Sequence, residues 1–192
     1  MDTHANTSCV GANWSLMELT GELCDVNPFL ASYQPVQSVP VARCCTVWTD
    51  QADGAEYLLV ADQMLWFGTQ MPNSLLNPNQ LRAHGIGVYD DPFDTDHDFG
   101  IDSDLAFIPF NTTRTIVYFE SRVPTEWEKT HLPIILLTNE DWNPSQEMSG
   151  IGNQSREFKE MRTIQSLTSG LTQRQINAIR QDEARGVRSG DN

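Results

Sequence analysis

The chain has 192 residues, of which 39% are hydrophobic and 20% charged, and its 26 acids against 12 Lys and Arg give a net charge of −14. That is enough for one domain with an appendage, or for two small units. No run of ~18 apolar residues is present, so no membrane span is expected, and a body this acidic repels phosphate, so direct nucleic-acid binding is not expected either.

The charge is uneven. Residues 1–150 carry 21 acids and 5 bases, whereas residues 151–192 carry 5 acids and 7 bases. The N-terminus is polar and contains Asp2 and His4, which does not read as a signal peptide and points to a cytoplasmic protein. Cys9, Cys24, Cys44 and Cys45 form no C-x-x-C pair, so they are expected as buried thiols rather than disulfides or a metal site.

Along the chain, residues 1–11 read as a loop leading into Cys9-Val10-Gly11. Pro28, Pro35 and Pro40 make residues 22–40 extended or looped. Val41–Trp48 and Glu56–Val60 are β-rich and flank an Asp53-Gly54 turn, which predicts a hairpin. A further arm or short strand is expected over Gln63–Phe67. Asn77 as N-cap, Pro78 at the first helical position, Leu81 and Ala83 on one face and Gly85 past the end predict a short helix.

Asp90, Asp91, Asp94, Asp96, Asp98, Asp102 and Asp104 read as one long exposed loop. Phe107–Phe110 and Thr115–Phe119 read as strands around a polar turn, Asn111-Thr112-Thr113-Arg114. Thr125 with Glu128 three residues later is a capping-box pattern. Ile134–Leu137 is a short buried run, and Asp141–Gly152 is linker-like. Phe158, Met161, Ile164 and Leu167 recur at helical spacing, and Thr172 with Gln175 caps a last helix. The Asp94-x-Asp96-x-Asp98 run fails as a calcium loop, since Gly100 falls one place late for the glycine such a loop needs and Leu105 stands where it needs Glu. Trp127 and Trp142, set among acids, read as core anchors at element ends, with a peptide-binding surface as the alternative.

The chemistry-bearing pattern is Asp2-Thr3-His4-Ala5. It resembles the Asp-Thr/Ser-Gly-Ala loop of retroviral and retrotransposon aspartic proteases. Asn73-Ser74-Leu75-Leu76-Asn77-Pro78-Asn79-Gln80-Leu81 resembles the "Asn-Leu-Leu-Ser-x-x-Gln-Leu" segment that closes copia-type proteases. The wider chain is similar to the protease region of retrotransposon Gag-Pol polyproteins with His in this loop. The similarity runs through Ser74–Gly85, Val88–Asp94, Phe119–Thr125, Leu137–Pro144 and Gln165–Gln175.

The resemblance implies a mainly β chain. Residues 1–88 would form a retropepsin-like acid-protease barrel, residues 89–150 an acidic α+β extension, and residues 151–192 a helical or flexible tail. The hairpin at 41–60 stands where a flap belongs. The barrel is expected to be incomplete at its N-terminus, because retropepsins place a strand before the catalytic Asp and only Met1 precedes Asp2 here.

Asp2 would be the catalytic carboxylate, paired with Asp2 of a second chain. Two carboxylates that close share one proton, so one acts as acid and the other as base on an attacking water. Thr3 would brace the two loops across the dimer, and Ala5 would permit their close packing. His4 replaces Gly, adding bulk where a substrate backbone passes, and below its usual pKa of ~6.5 a positive charge that favours ionised carboxylates. Asn6 stands where an acid or Ser is common and would alter a substrate-backbone contact.

The function so implied is an aspartic endopeptidase processing its own polyprotein as a homodimer, its partners being peptide segments of that polyprotein, with no metal or organic cofactor. The alternatives are a non-catalytic relic or structural segment of the polyprotein, and a protein-binding module with an acidic groove.

Overall fold

A computed structural model describes residues 7–27 and 32–140. The chain is mainly β, as expected, with two short helices among these residues. It divides into two units at residues 146/147, and the second lies outside the described residues together with the expected linker and tail helices.

The centre is a hairpin of β3 (Val36–Thr49) and β4 (Glu56–Gly68). Its turn is made as the Asp-Gly signal predicts. Asp50 Oδ1 accepts the Ala52 N–H and Asp53 Oδ1 accepts the Ala55 N–H, both at 2.8 Å, and Gly54 takes φ +78°. The residues expected as a separate arm, Gln63–Phe67, continue β4. Gln63 adopts φ +58°, which bends the strand while pairing to β3 resumes beyond it.

Both faces of this hairpin are covered. Ala42, Cys44, Trp48, Leu59 and Ala61 point into a large cluster with Val10, Trp14, Leu81, Ile101, Ile108 and Leu137. Cys45, Val47, Leu58 and Val60 point the other way, against Leu132 and Leu136. The period of two in a strand sends alternate residues to opposite faces, so a continuous apolar run such as Leu58–Ala61 needs cover on both. A hairpin at the centre of the core cannot swing open, and the flap expected at 41–60 is not free to act as one.

β2 (Ser15–Val26) pairs antiparallel with β3 and forms the outer edge of the sheet. Its pairing slips between Leu19 and Leu23, opposite Pro40, which has no N–H to give the ladder. Met17–Leu23 are all exposed. Two parallel partners lie along β4. One is β1 (Cys9–Gly11), beside Leu65–Gly68, and the other is β10 (Ile134–Thr138), beside Leu58–Ala61.

Helix α1 (Pro78–Ala83) forms where the sequence places it. The Asn77 side chain accepts the Asn79 N–H at 2.8 Å. At the other end the Ile86 N–H bonds Leu81 O and the Gly85 N–H bonds Arg82 O, with Gly85 at φ +91°. This is a Schellman stop, and glycine suits its left-handed position.

A small antiparallel sheet follows, β5 (Gly87–Tyr89), β6 (Gly100–Asp102) and β7 (Phe107–Pro109). The acidic stretch is therefore not one loop. Gly100 allows β6 to lie so close to β7 that a Cβ there would meet Ile108 O at 2.4 Å. The expected polar turn is itself a strand, β8 (Asn111–Thr113), paired with β9 (Ile116–Tyr118), and the reversal falls at Arg114 with φ +58°.

The capping box closes reciprocally ahead of α2 (Glu128–His131). Glu128 Oε2 accepts the Thr125 N–H at 2.6 Å, and Thr125 Oγ1 accepts the Glu128 N–H at 3.3 Å. Trp127 is not a core anchor. It is 62% exposed and stacks on His131 one turn away.

The expected domain boundary at residue 88 falls inside one core, since Val88, Ile101, Ile108 and Leu137 pack with residues from β1, β3 and β4. The described sheets are open, and barrel closure is not seen among the described residues. No helix among them is long and apolar enough to cross a membrane.

Candidate functional site

Asp2, Thr3, His4, Ala5 and Asn6 lie outside the described residues. The described chain begins immediately after them, at Thr7 and Ser8, and both are buried. This buried polar entry is the feature that sequence reasoning missed.

Segment 8–12 is held on both edges. On one side Leu65 N–H donates to Ser8 O at 3.0 Å and β1 runs along β4. On the other, Cys9 and Leu75 exchange both backbone bonds, at 2.9 and 2.8 Å, and Ala12 N–H donates to Met71 O at 2.8 Å. The approach is so close that a Cβ on Gly11 would lie 2.4 Å from Met71 O, which requires glycine there. Ser74 Oγ accepts the Gly11 N–H at 3.0 Å and donates to Asn13 Oδ1 at 2.7 Å. The run Ser74–Leu76 thus docks against the strand that leaves the Asp2–Asn6 segment, and it leads directly into α1.

Beneath that strand lies a buried hydrogen-bonded group. Gln80 Oε1 accepts the Ser8 N–H at 2.8 Å and lies 3.1 Å from the Thr7 hydroxyl. Gln80 Nε2 donates to Gln63 O at 3.2 Å, with Asp62 O more distant at 3.5 Å. Ser8 Oγ accepts the Asn77 N–H at 2.9 Å. The Thr138 hydroxyl accepts the Asp62 N–H at 2.9 Å and donates to Asp62 O at 2.8 Å. Buried polar groups persist only when satisfied this way. Gln63 Oε1 is an exception, buried without a partner.

The Asp62 carboxylate lies 3.4 Å from Arg43. Burial pushes its pKa up, and Arg43 opposes that shift. Burial likewise raises the thiols of Cys44, to about 12, and Cys45, to about 11, so neither is a thiolate at neutral pH. Cys9 and Cys24 are half-buried, and all four cysteines are unbridged.

The other charged cluster is a surface clamp. The Arg122 guanidinium reaches Glu56 at 2.7 Å and both oxygens of Glu128, at 2.6 and 3.0 Å. Its backbone bonds Val47 in both directions, at 2.8 and 3.0 Å. With the bond from the Thr125 N–H, Arg122 lowers the Glu128 pKa to about 2. An open depression of about 240 Å³ lies here, lined by Trp48, Thr49, Asn111, Phe119 and Arg122. It is smaller than usual ligand pockets and shares no lining residue with the Thr7–Gln80 group. No group of His, Cys, Asp and Glu among the described residues is arranged to hold a metal ion.

No protein-family model, curated protein or solved structure matches this chain.

Proposed function

We propose that the chain is an aspartic endopeptidase of a copia-type retrotransposon polyprotein, with Asp2 from each of two chains forming the catalytic dyad. The supporting observation is the placement of Ser74–Leu76. The run that resembles the closing segment of copia-type proteases docks on the strand following Asp2-Thr3-His4-Ala5 and enters a short capped helix. The strand that directly follows the first of these sequence pieces therefore pairs with the second.

In this reading a water between the two Asp2 carboxylates attacks the peptide carbonyl, with one carboxyl protonated and the other ionised. Thr3 braces the paired loops, Ala5 lets them approach, and His4 and Asn6 border the substrate backbone. The flap role passes from 41–60 to the β2–β3 hairpin, whose outer strand is exposed from Met17 to Leu23. The full dimeric assembly would be a retropepsin-like barrel acting inside the cell on segments of its own polyprotein.

A second reading, a folded but non-catalytic segment of the polyprotein, is favoured by His4. An imidazolium beside the dyad stabilises both carboxylates as anions and removes the shared proton. Cleavage of polyprotein-derived peptides from pH 4 to 7 separates the two readings. The protease reading expects Asp2→Asn to lower turnover by on the order of 10³-fold or more with the fold intact. Cleavage indifferent to that substitution, or a chain that stays monomeric at high concentration, refutes the shared dyad. No cleavage by the folded wild-type chain selects the second reading.

A further inference from the structure

Ser8 is pinned at all three of its polar groups, each by a different element. Its carbonyl is held by Leu65 of β4, its hydroxyl by the N–H of Asn77, and its N–H by the side chain of Gln80 in α1. We propose that Gln80 is a positioning residue for the Asp2–Asn6 segment, its amide locking Thr7 and Ser8, the residues directly after it in sequence, to the bend of β4. The role assigned to that segment rests on the proteolytic reading above; the way Thr7 and Ser8 are held does not.

The geometry favours positioning over filling. Gln80 is 1% exposed, and its neighbour Leu81 packs in the apolar cluster. A residue needed only for volume could be apolar, because a buried amide is unfavourable unless bonded at both ends. Here both ends are used, in different directions. Oε1 takes the Ser8 N–H and lies beside the Thr7 hydroxyl, while Nε2 donates to the carbonyl of Gln63, the residue with φ +58° that bends β4. The amide thus ties three segments that are remote in sequence and fixes their register, since a slip of one residue at Ser8 would leave Oε1 unpaired. Thr7 Oγ1 also reaches Gln63 O, at 3.3 Å, which closes the ring. Reacting groups are held productively by just such supporting bonds, and a shift of ~1 Å can lower the rate ~100-fold.

The test compares the full chain with Gln80→Met, which keeps the volume and loses both polar ends, and with Gln80→Glu. Amide hydrogen exchange by NMR reads Ser8 against Leu59 and Val60 in the sheet core. In Gln80→Met, Ser8 protection is expected to fall at least ~10-fold further than that of Leu59 and Val60. In Gln80→Glu, the protonated carboxyl reproduces both acceptor and donor, whereas the ionised form sets a charge against the Gln63 carbonyl. Ser8 protection in that variant is therefore expected to recover relative to the core as pH falls through the carboxyl titration. Equal losses at Ser8 and the core, or no recovery at low pH, make Gln80 a packing residue and overturn the proposal.

Where the wild-type chain cleaves peptide, Gln80→Met is expected to lower kcat ~100-fold with KM unchanged, and an unchanged kcat overturns the positioning role. If the wild-type chain cleaves nothing, the proteolytic reading fails, and the exchange data still decide whether Gln80 fixes Thr7 and Ser8.

Discussion

Replacing Thr138 by Val removes one oxygen and changes the side chain's shape very little. That oxygen stands in for a missing rung of the sheet. Pairing of β10 with β4 shifts register between Leu136 and Thr138, and there the Thr138 hydroxyl serves both the N–H and the carbonyl of Asp62. Thr138 is 1% exposed and Asp62 5%, so water cannot substitute freely. Val leaves the buried Asp62 N–H unpaired and its carbonyl with only the 3.5 Å contact from Gln80 Nε2, at roughly 1–3 kcal/mol each. Relaxation and partial wetting at the bulge reduce the sum, and a loss of about 2–4 kcal/mol is expected. Thr138→Ser keeps the hydroxyl and loses one methyl, about 1 kcal/mol or less. Urea unfolding of the three proteins measures this as a lowered midpoint with an unchanged slope. If Thr138→Val lies within ~0.5 kcal/mol of wild type, or if Ser is as damaging as Val, the hydroxyl is not replacing the ladder bonds and the reasoning fails.

Two further outcomes follow from the geometry. Glu128 titrates at about 2 in the folded chain against an ordinary 4.5. Its stabilising contribution is therefore complete above pH 4.5 and is lost as pH falls toward 2, because the unfolded chain then binds the extra proton. Arg122→Met is expected to return the Glu128 carboxyl toward its ordinary pKa and to flatten stability across that window, read by carboxyl NMR titration and by urea unfolding from pH 2 to 5. A Glu128 pKa unmoved by the substitution would show that the clamp is not the cause. Gly11→Ala places a Cβ against two backbone oxygens, Met71 O at 2.4 Å and Asn73 O at 2.8 Å, which have no rotamer to escape into. A destabilisation of about 1–3 kcal/mol is expected, with loss of exchange protection at Cys9 and Leu75 ahead of the β3–β4 hairpin. Protection that stays at wild-type levels would show that the approach is not as close as described.

The features legible in the sequence are those whose causes are local. Asn77, Pro78 and Gly85 mark the helix ends because each satisfies a nearby backbone requirement. Asp50, Asp53 and Gly54 do the same for the hairpin turn, and Thr125 with Glu128 for the capping box. What was misread depends on partners remote in sequence. Gly100–Asp102 looked like acidic loop because its strand character comes from pairing with Val88 and Ile108 rather than from its own composition. The hairpin at 41–60 resembles a flap because its order along the chain fits one, yet β2 on one edge and the parallel strands β1 and β10 on the other enclose it. Trp127 reads inward from its sequence because tryptophans are usually buried, but a short helix whose own residues are all unburied gives it only His131 to lie on. The Thr7–Ser8–Gln80 group gives no distinct signal, since Thr7 follows Asn6 and Gln80 follows Asn79 in polar stretches, and only tertiary structure joins them. Asp2–Asn6, on which the functional reading depends, lie outside the described residues.

The parallel placement of β1 and β10 along one edge of β4 also sets a timetable. β2, β3 and β4 are consecutive hairpin arms and can form as soon as residue 68 is available. β1 needs Leu75 and Gln80 to complete its second edge, and the rest of the β4 edge stays bare until Ile134–Thr138 arrive. Contacts of such long sequence separation form slowly. During synthesis at ~5–20 residues per second, the chain therefore passes several seconds with an apolar, half-paired strand uncovered. Where many copies are made side by side, that interval is when neighbouring chains can exchange strands, and the speed with which β10 closes governs how many molecules reach the native sheet.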